Sequence, residues 1–197
     1  DRYWFGVYDP KGSMALVGGM GLFMNMNVLD GYCAIQLPKA GGGVEQHNFR
    51  VTRALRPDLD SHKVGPLSVE ILEPYKRIRL LWAAGEFPVS FDLEWNAFTP
   101  PSEEKPHFIR VNGRPFFDYR RYTQAGRSSG LITLGNRTES IRDWWAGRDH
   151  SWGVRNQVGG YEPVNGPGTE EALSAAGFVF YWITFNTGEC SGYVPLQ

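Results

Sequence analysis

The stretch VSFDLEWNAF, residues 89–98, decides the fold class because apolar and polar residues alternate along its whole length. Successive side chains of a β-strand point to opposite faces, so this alternation describes a strand with one face in the core and the other in water. The apolar face carries Val89, Phe91, Leu93, Trp95 and Ala97, and the polar face carries Ser90, Asp92, Glu94 and Asn96. The pattern predicts a half-buried strand of an antiparallel sheet.

Similar short runs fill most of the chain on both sides of this strand, and Gly, Pro, Asn and Asp separate them. On the N-terminal side, Asp30-Gly31 is a strong hairpin-turn sequence. On the C-terminal side, Gly135-Asn136 is another tight turn. The strand-like runs around that second turn are Tyr119–Gly126, Gly130–Leu134, Thr138–Trp145 and Arg148–Val154.

The full pattern amounts to about ten to twelve strands with very little helix. Thr169–Ala176 is the one convincing helical stretch. The sequence therefore predicts an all-β fold built as a sandwich or barrel. Thr99–Pro106, rich in proline and acidic residues, is the candidate boundary between an N-terminal β module (residues 1–100) and a C-terminal one (residues 107–197). Because both chain ends lie at strand-like runs, we expect the second module to be incomplete and the chain to be part of a longer protein.

The composition excludes several classes of protein. A net charge of −1, without clustered Lys and Arg, argues against a nucleic-acid-binding surface. No apolar run is long enough for a transmembrane segment, and no signal segment opens the chain. Cys33 and Cys190 are expected to be free thiols, which favours a cytoplasmic location. An aromatic content of 14% leaves rings to line a pocket, so we expect the fold to enclose a hydrophobic small molecule.

The densest chemical feature is RDWWAGRDHSWG, residues 142–153. On a strand, Arg148, His150 and Trp152 share one face, while Asp149 points to the other. A histidine beside an indole on the wall of an apolar pocket suits general acid–base catalysis, because imidazole titrates near neutral pH and the ring face can stabilise a cation. The same residues could instead form a structural plug that closes one end of a barrel, and the residues alone leave both readings open.

Other candidates are weaker. Asp92 and Glu94 share a strand face, where two carboxylates can divide acid and base roles, but a solvated polar face is the simpler interpretation. Asn25 and Asn27 alternate with methionines and could hydrogen-bond a ligand oxygen. The histidines are scattered and no phosphate-binding loop occurs, so we expect neither a metal nor a nucleotide cofactor.

The block Gly147–Gly153, with its Asp-His-Ser-Trp-Gly core, resembles the AttH and hydroxyneurosporene synthase (carotenoid hydratase, CrtC-like) superfamily. The resemblance implies two lipocalin-like β modules with a ligand cavity between or within them. It also implies cofactor-independent addition of water across a carbon–carbon double bond of a long isoprenoid, or the shaping of a polyene in related pericyclases. Asp149, His150 and Trp152 would then form the polar and aromatic wall of the cavity.

Two functions follow as expectations. The first is a hydratase, lyase or isomerase acting on a terpenoid, polyene or aromatic molecule, with His150 or Asp149 as proton donor or relay. Its substrate-binding residues would be Trp152, Arg148, Trp145, Tyr181 and Asn25. The second is a non-catalytic lipocalin-like carrier that binds lipid in the same cavity. An interaction module with an aromatic surface is a third reading, which no specific residue favours.

Overall fold

The structure is a computed structural model that describes residues 1–59, 61–111, 113–155, 181–187 and 191–196. These residues form β-strands joined by turns and loops, with no helix among them, and the predicted all-β fold class is confirmed. The predicted helix at Thr169–Ala176 lies outside the described residues. No helix in the described ranges is long and apolar enough to cross a membrane.

The strands follow one another along the chain as β1 (Arg2–Tyr8), β2 (Ala15–Phe23), β3 (Val28–Pro38), β4 (Val44–Ala54), β5 (Lys63–Val64), β6 (Leu67–Glu73), β7 (Arg77–Trp82), β8 (Val89–Ala97), β9 (Ser102–Glu103), β10 (His107–Val111), β11 (Arg114–Leu134), β12 (Arg137–Arg155), β13 (Tyr181–Asn186) and β14 (Ser191–Leu196).

One large antiparallel sheet holds β1 to β12, in the order β4-β3-β2-β1-β12-β11-β8-β7-β6-β5, with β9 and β10 also paired to β11. The hairpin of β11 and β12 therefore lies between two meanders, β1–β4 on one side and β5–β8 on the other. Strands from residues 1–100 and from residues 107–155 share this sheet, and the division of the chain into two modules stays a prediction. β13 and β14 form a separate two-stranded sheet.

The large sheet curls into a nearly closed barrel. Its two ends approach each other where β5 and β6 pack against β3. At Gly31 on β3, an added Cβ would lie 2.6 Å from Cγ1 of Val64 and 2.7 Å from Cδ2 of Leu67. Only a residue without a side chain leaves room for this approach.

This packing explains why one predicted turn is wrong. Asp30 and Gly31 lie inside β3, and the chain turns earlier, at residues 24–27. Asn27 takes a left-handed conformation there, with φ of 57°, which asparagine tolerates better than most residues. Asn25 lies in the same turn rather than on a strand.

The core lies inside the curl and includes several fully buried side chains, among them Phe5, Leu16, Ile35, Trp82, Leu93 and Trp95. The 89–98 stretch forms β8 as predicted, with its apolar face in this core. Its polar face is solvated: both Nε and Nη2 of Arg79 donate to the Asp92 carboxylate at 2.8 Å, and Arg77 lies 3.5 Å from Glu94. Burial of each large apolar side chain contributes about 1.5–3 kcal/mol.

The sequence predicts four short strands between residues 119 and 154, whereas the structure has two long, continuous strands there, β11 and β12. β11 spans 21 residues and β12 spans 19, joined at the predicted Gly135-Asn136 turn. A register shift between Ser128 and Gly130 bends β11 without ending it. Bulges of this kind let a long strand follow a strongly curved sheet.

Candidate functional site

The Asp-His-Ser-Trp segment occupies the centre of the sheet. β12 pairs with β1 on one side and β11 on the other, which sets His150 directly between Tyr3 and Tyr122. The pairing is regular from Trp145 to Arg155, so side chains alternate as the sequence predicts. Arg148 pairs with the fully buried Phe5, which identifies the face of Arg148, His150 and Trp152 as the inner one.

An aromatic cluster of Tyr3, Tyr75, Tyr122, His150 and Trp152 lies at one end of the barrel. The His150 ring stacks on Tyr3 with centres 4.2 Å apart and a 20° angle between planes. It meets Tyr122 and Trp152 edge-on at 5.3 and 5.6 Å. Tyr3 is 5% exposed and Trp152 is 40% exposed, so the cluster leads from the core to the surface.

Two hydrogen bonds fix the state of the His150 ring. Nε2 lies 2.5 Å from Oδ1 of Asp1, and Nδ1 lies 3.0 Å from the Tyr122 hydroxyl. A carboxylate only accepts, so Nε2–H donates to it and the remaining Nδ1 accepts from the Tyr122 O–H. Burial, together with the charge of Arg148, lowers the pKa of His150 to about 4. The ring is therefore a neutral base at physiological pH, with a phenol as its hydrogen-bond donor.

Arg148 is 2% exposed and lies beneath the cluster. Its Nε donates to Oε1 of Gln124 at 3.0 Å, and Nη2 donates to the same oxygen. Gln124 in turn donates to the carbonyl oxygens of Tyr75 and Thr99, at 2.9 and 3.0 Å. The guanidinium carbon lies 5.0 Å from the Tyr122 ring centre. Burial raises the pKa of Tyr122, whereas the Arg148 charge acts in the opposite direction by stabilising a phenolate.

Asp149 points to the outer face of the sheet, between Trp4 and Thr123 in the pairing. Burial raises the pKa of its carboxyl group, and the charges of three arginines, at positions 121, 2 and 155, oppose that rise. Asp149 and His150 therefore occupy different environments on the two sides of one strand.

A cavity of about 880 Å³ adjoins both regions. Outward-facing side chains such as Arg2, Tyr32 and Ser151 form part of its wall, and it reaches Trp152 at the barrel end. Two residues predicted to bind substrate, Trp152 and Asn25, line it. His150 contacts its wall through the Trp152 ring and through the hydrogen bond to Asp1.

Two other predicted substrate contacts lie elsewhere. Trp145 is on the outer face, where the Arg127 guanidinium stacks 3.7 Å from its ring centre, and it is not part of the aromatic cluster. Tyr181 begins β13 in the separate sheet, and its side chain falls outside the part of the chain that the structure describes.

Sequence reasoning missed Tyr3, Tyr122 and Gln124. Each reaches the site through cross-strand pairing with β12 rather than through proximity in sequence. The period-two pattern identifies these residues as parts of strands, but no local signal identifies their partners.

The curled antiparallel sheet belongs to the lipocalin-like class of β folds. An AttH-like protein (NE1406) from Nitrosomonas europaea, solved at 2.00 Å, has a TM-score of 0.53 and 12% identity over 81% of this chain and 52% of its own. Kievitone hydratase from Nectria haematococca has a TM-score of 0.57 and 11% identity over 80% of this chain and 49% of its own. The chain thus spans about half the length of each structure, and at these identities the likeness shows the fold alone.

The chain belongs to the family described as "Family of unknown function (DUF8625)", whose model matches residues 1–194. No curated protein matches it.

Proposed function

We propose that the protein is a cofactor-independent enzyme of the hydratase, lyase or isomerase type that acts on a hydrophobic small molecule. The observation that carries this proposal is the Tyr122–His150 hydrogen bond, which lies inside an aromatic cluster at the edge of an 880 Å³ cavity. The name of one structural neighbour, kievitone hydratase, agrees with it.

The hydrogen-bonded pair supplies the proton chemistry that such reactions require. In hydration, one alkene carbon gains a proton and its neighbour gains the oxygen of water, which releases a proton. Tyr122 can donate the first proton, and the water proton can return to the pair through His150, so the enzyme ends unchanged. The face of Trp152 can stabilise positive charge on carbon, and Arg148 stabilises the phenolate. A lyase runs the same steps backwards, and an isomerase returns the proton to another carbon.

A carrier protein is the second candidate, and the Arg148–Gln124 network favours it. Arg148 is bonded to Gln124, and Gln124 anchors to two backbone carbonyls, which is how a structural plug at a barrel end would be built. In that case the cavity binds ligand and the Tyr122–His150 pair only maintains the fold.

Proton exchange separates the two functions. We would identify the apolar molecule that co-purifies with the protein by mass spectrometry, and then incubate it with the protein in D₂O and in H₂¹⁸O. An enzyme of this type incorporates deuterium at carbon or ¹⁸O, and Tyr122→Phe and His150→Gln abolish that incorporation. The matched controls are Tyr119→Phe and His107→Gln, which alter a stacked Tyr–His pair outside the aromatic cluster. Wild-type protein that binds the molecule without label incorporation would support the carrier instead.

A further inference from the structure

The large cavity is lined by apolar side chains and by a polar cluster, which we call its polar end. Its polar end is formed by Arg2, Ser151 and Arg155, which neighbour one another on the outer face of β1 and β12. The apolar part of its lining is Leu22, Phe23, Met24, Trp152 and Val154. A ligand that contacts both the polar cluster and the apolar side chains must be amphipathic.

Two cations at the polar end are held by neutral groups. Arg2 donates to the Tyr32 hydroxyl at 3.3 Å, and Arg155 donates to the Ser151 hydroxyl at 3.0 Å. Among the described residues, neither arginine forms an ion pair. Arg50, the third arginine on the cavity wall, is by contrast bonded through Nε to both carboxylate oxygens of Asp30, at 3.1 and 3.2 Å.

The charged groups beside these two arginines include acidic as well as basic side chains. Arg121 pairs with Glu104 at 2.6 Å. The Asp1 carboxylate is hydrogen-bonded to His150, and burial raises the pKa of the Asp149 carboxyl group while the charges of Arg2 and Arg155 oppose that rise. Burial lowers the pKa of Arg155, and repulsion by Arg2 and Arg121 acts in the same direction, while Tyr119 and Asp149 act in the opposite one. An anion placed between Arg2 and Arg155 would relieve that repulsion.

We propose that the cavity binds an amphipathic carboxylate, with its carboxylate between Arg2 and Arg155 and its apolar body along Phe23 and Trp152. This inference rests on the proposed function and names the substrate class for the same cavity. The volume of about 880 Å³ lies within the range of pockets that hold small molecules. Trp152, which lines the same cavity, contacts the His150 ring of the Tyr122–His150 pair with ring centres 5.6 Å apart.

The test compares two probes that share one apolar body. cis-Parinaric acid and its methyl ester are titrated into the protein and followed by fluorescence. We expect the acid to bind at least about tenfold more tightly than the ester, because only the acid forms charge-assisted hydrogen bonds with the arginines. Arg2→Gln and Arg155→Gln should reduce affinity for the acid to that for the ester. Unchanged ester binding shows that each variant is folded. Arg137→Gln, at the far turn of the β11–β12 hairpin, is the control and should retain the preference.

Several outcomes would overturn the inference. Equal binding of acid and ester by the wild-type protein is one, and equal weakening of both probes in the arginine variants is another. Tighter binding of farnesyl monophosphate than of the acid would assign the site to phosphate. His150→Gln should keep its preference for the acid while losing label incorporation. If His150→Gln lost its preference for the acid, this inference would be contradicted. If His150→Gln still incorporated label, only the proposed function would be contradicted.

Discussion

The protonation state of His150 follows from its surroundings rather than from its residue type. The ring is enclosed by Tyr3, Tyr122 and Trp152 and lies near the buried charge of Arg148. Removal of the ring from water and the positive charge of Arg148 both disfavour an imidazolium, which is why the pKa of His150 falls to about 4. Nδ1 of His150 therefore stays unprotonated, and able to accept a proton, throughout the physiological pH range.

The lowered pKa makes stability depend on pH in a defined window. Below pH 6.5 the unfolded chain protonates His150, while the folded protein does not until about pH 4. The stability that this residue confers is therefore complete above pH 6.5, falls as the pH drops, and is lost below about 4. The full effect is about 3 kcal/mol. Urea unfolding of wild type and His150→Gln should show a difference in unfolding free energy that shrinks by this order between pH 7 and pH 4. A difference that stays constant over this range would contradict the assigned shift.

Gln124 is expected to be more important for stability than an ordinary amide, because it is the hydrogen-bond acceptor for the buried Arg148. Gln124→Leu leaves that guanidinium without its acceptor and should lower the free energy of unfolding by about 3 kcal/mol. In the double variant Gln124→Leu with Arg148→Met no buried charge remains, so part of the loss should be recovered. Chemical denaturation measures both, and a double variant less stable than Gln124→Leu alone would argue against this account.

Part of the site is readable from sequence because it lies within one strand. The motif reveals His150 and Trp152, and strand alternation shows that Asp149 faces away from them. Tyr122 and Tyr3 escape detection because their approach to His150 depends on how distant strands pair. Local pattern predicts which face a side chain takes, and it carries no information about which strand lies beside it.

The β11–β12 hairpin is the element that joins the two meanders, and Gly130 is its critical bend. The residue has φ of 144°, and an added Cβ would collide with the carbonyl oxygen of Asp92 on β8. The sequence predicts that one strand ends at Gly126 and another begins at Gly130. The structure has an irregularity at this place, but it is a bulge within the single strand β11. Sequence alone identifies the glycine, whereas the choice between a turn and a bulge depends on β8 pairing across it.

Gly130→Ala should therefore destabilise the protein by about 2 kcal/mol or more, through backbone strain and the clash with β8. Gly85→Ala is the control, since an added Cβ there meets nothing within 4 Å, and it should change stability by less than about 0.5 kcal/mol. Urea denaturation of the two variants tests the difference. Similar stabilities would mean that β8 and β11 separate easily at this point.

For the whole molecule, closure of the sheet depends on the approach of β5 and β6 to Gly31. Cys33 lies two residues further along β3, on the same face, and is 1% exposed. Burial raises the pKa of its thiol to about 12. Burial in the barrel therefore protects this thiol in two ways. It keeps reagents away from the sulfur, and it keeps the thiol protonated, so that little reactive thiolate forms.

Gly31→Val should open this closure, because the new side chain would overlap Val64 and Leu67. In a Cys190→Ser background, which leaves Cys33 as the only cysteine, we expect Ellman's reagent to react with the Gly31→Val variant much faster than with the parent. Circular dichroism confirms that the variant is folded. Equal labelling rates in two folded proteins would show that closure at Gly31 does not protect Cys33.

The alternation of chemistry along residues 148–152 also bears on how the chain avoids misfolding. If β12 slipped by one position against its neighbours, every side chain would exchange faces. Arg148 would leave its amide partner, and the Asp149 carboxylate would enter an apolar interior beside Phe5. Such a mispaired state would bury an uncompensated negative charge, which is strongly unfavourable. Residues 148–152 therefore also help to select the correct register of β12 against β1 and β11 during folding.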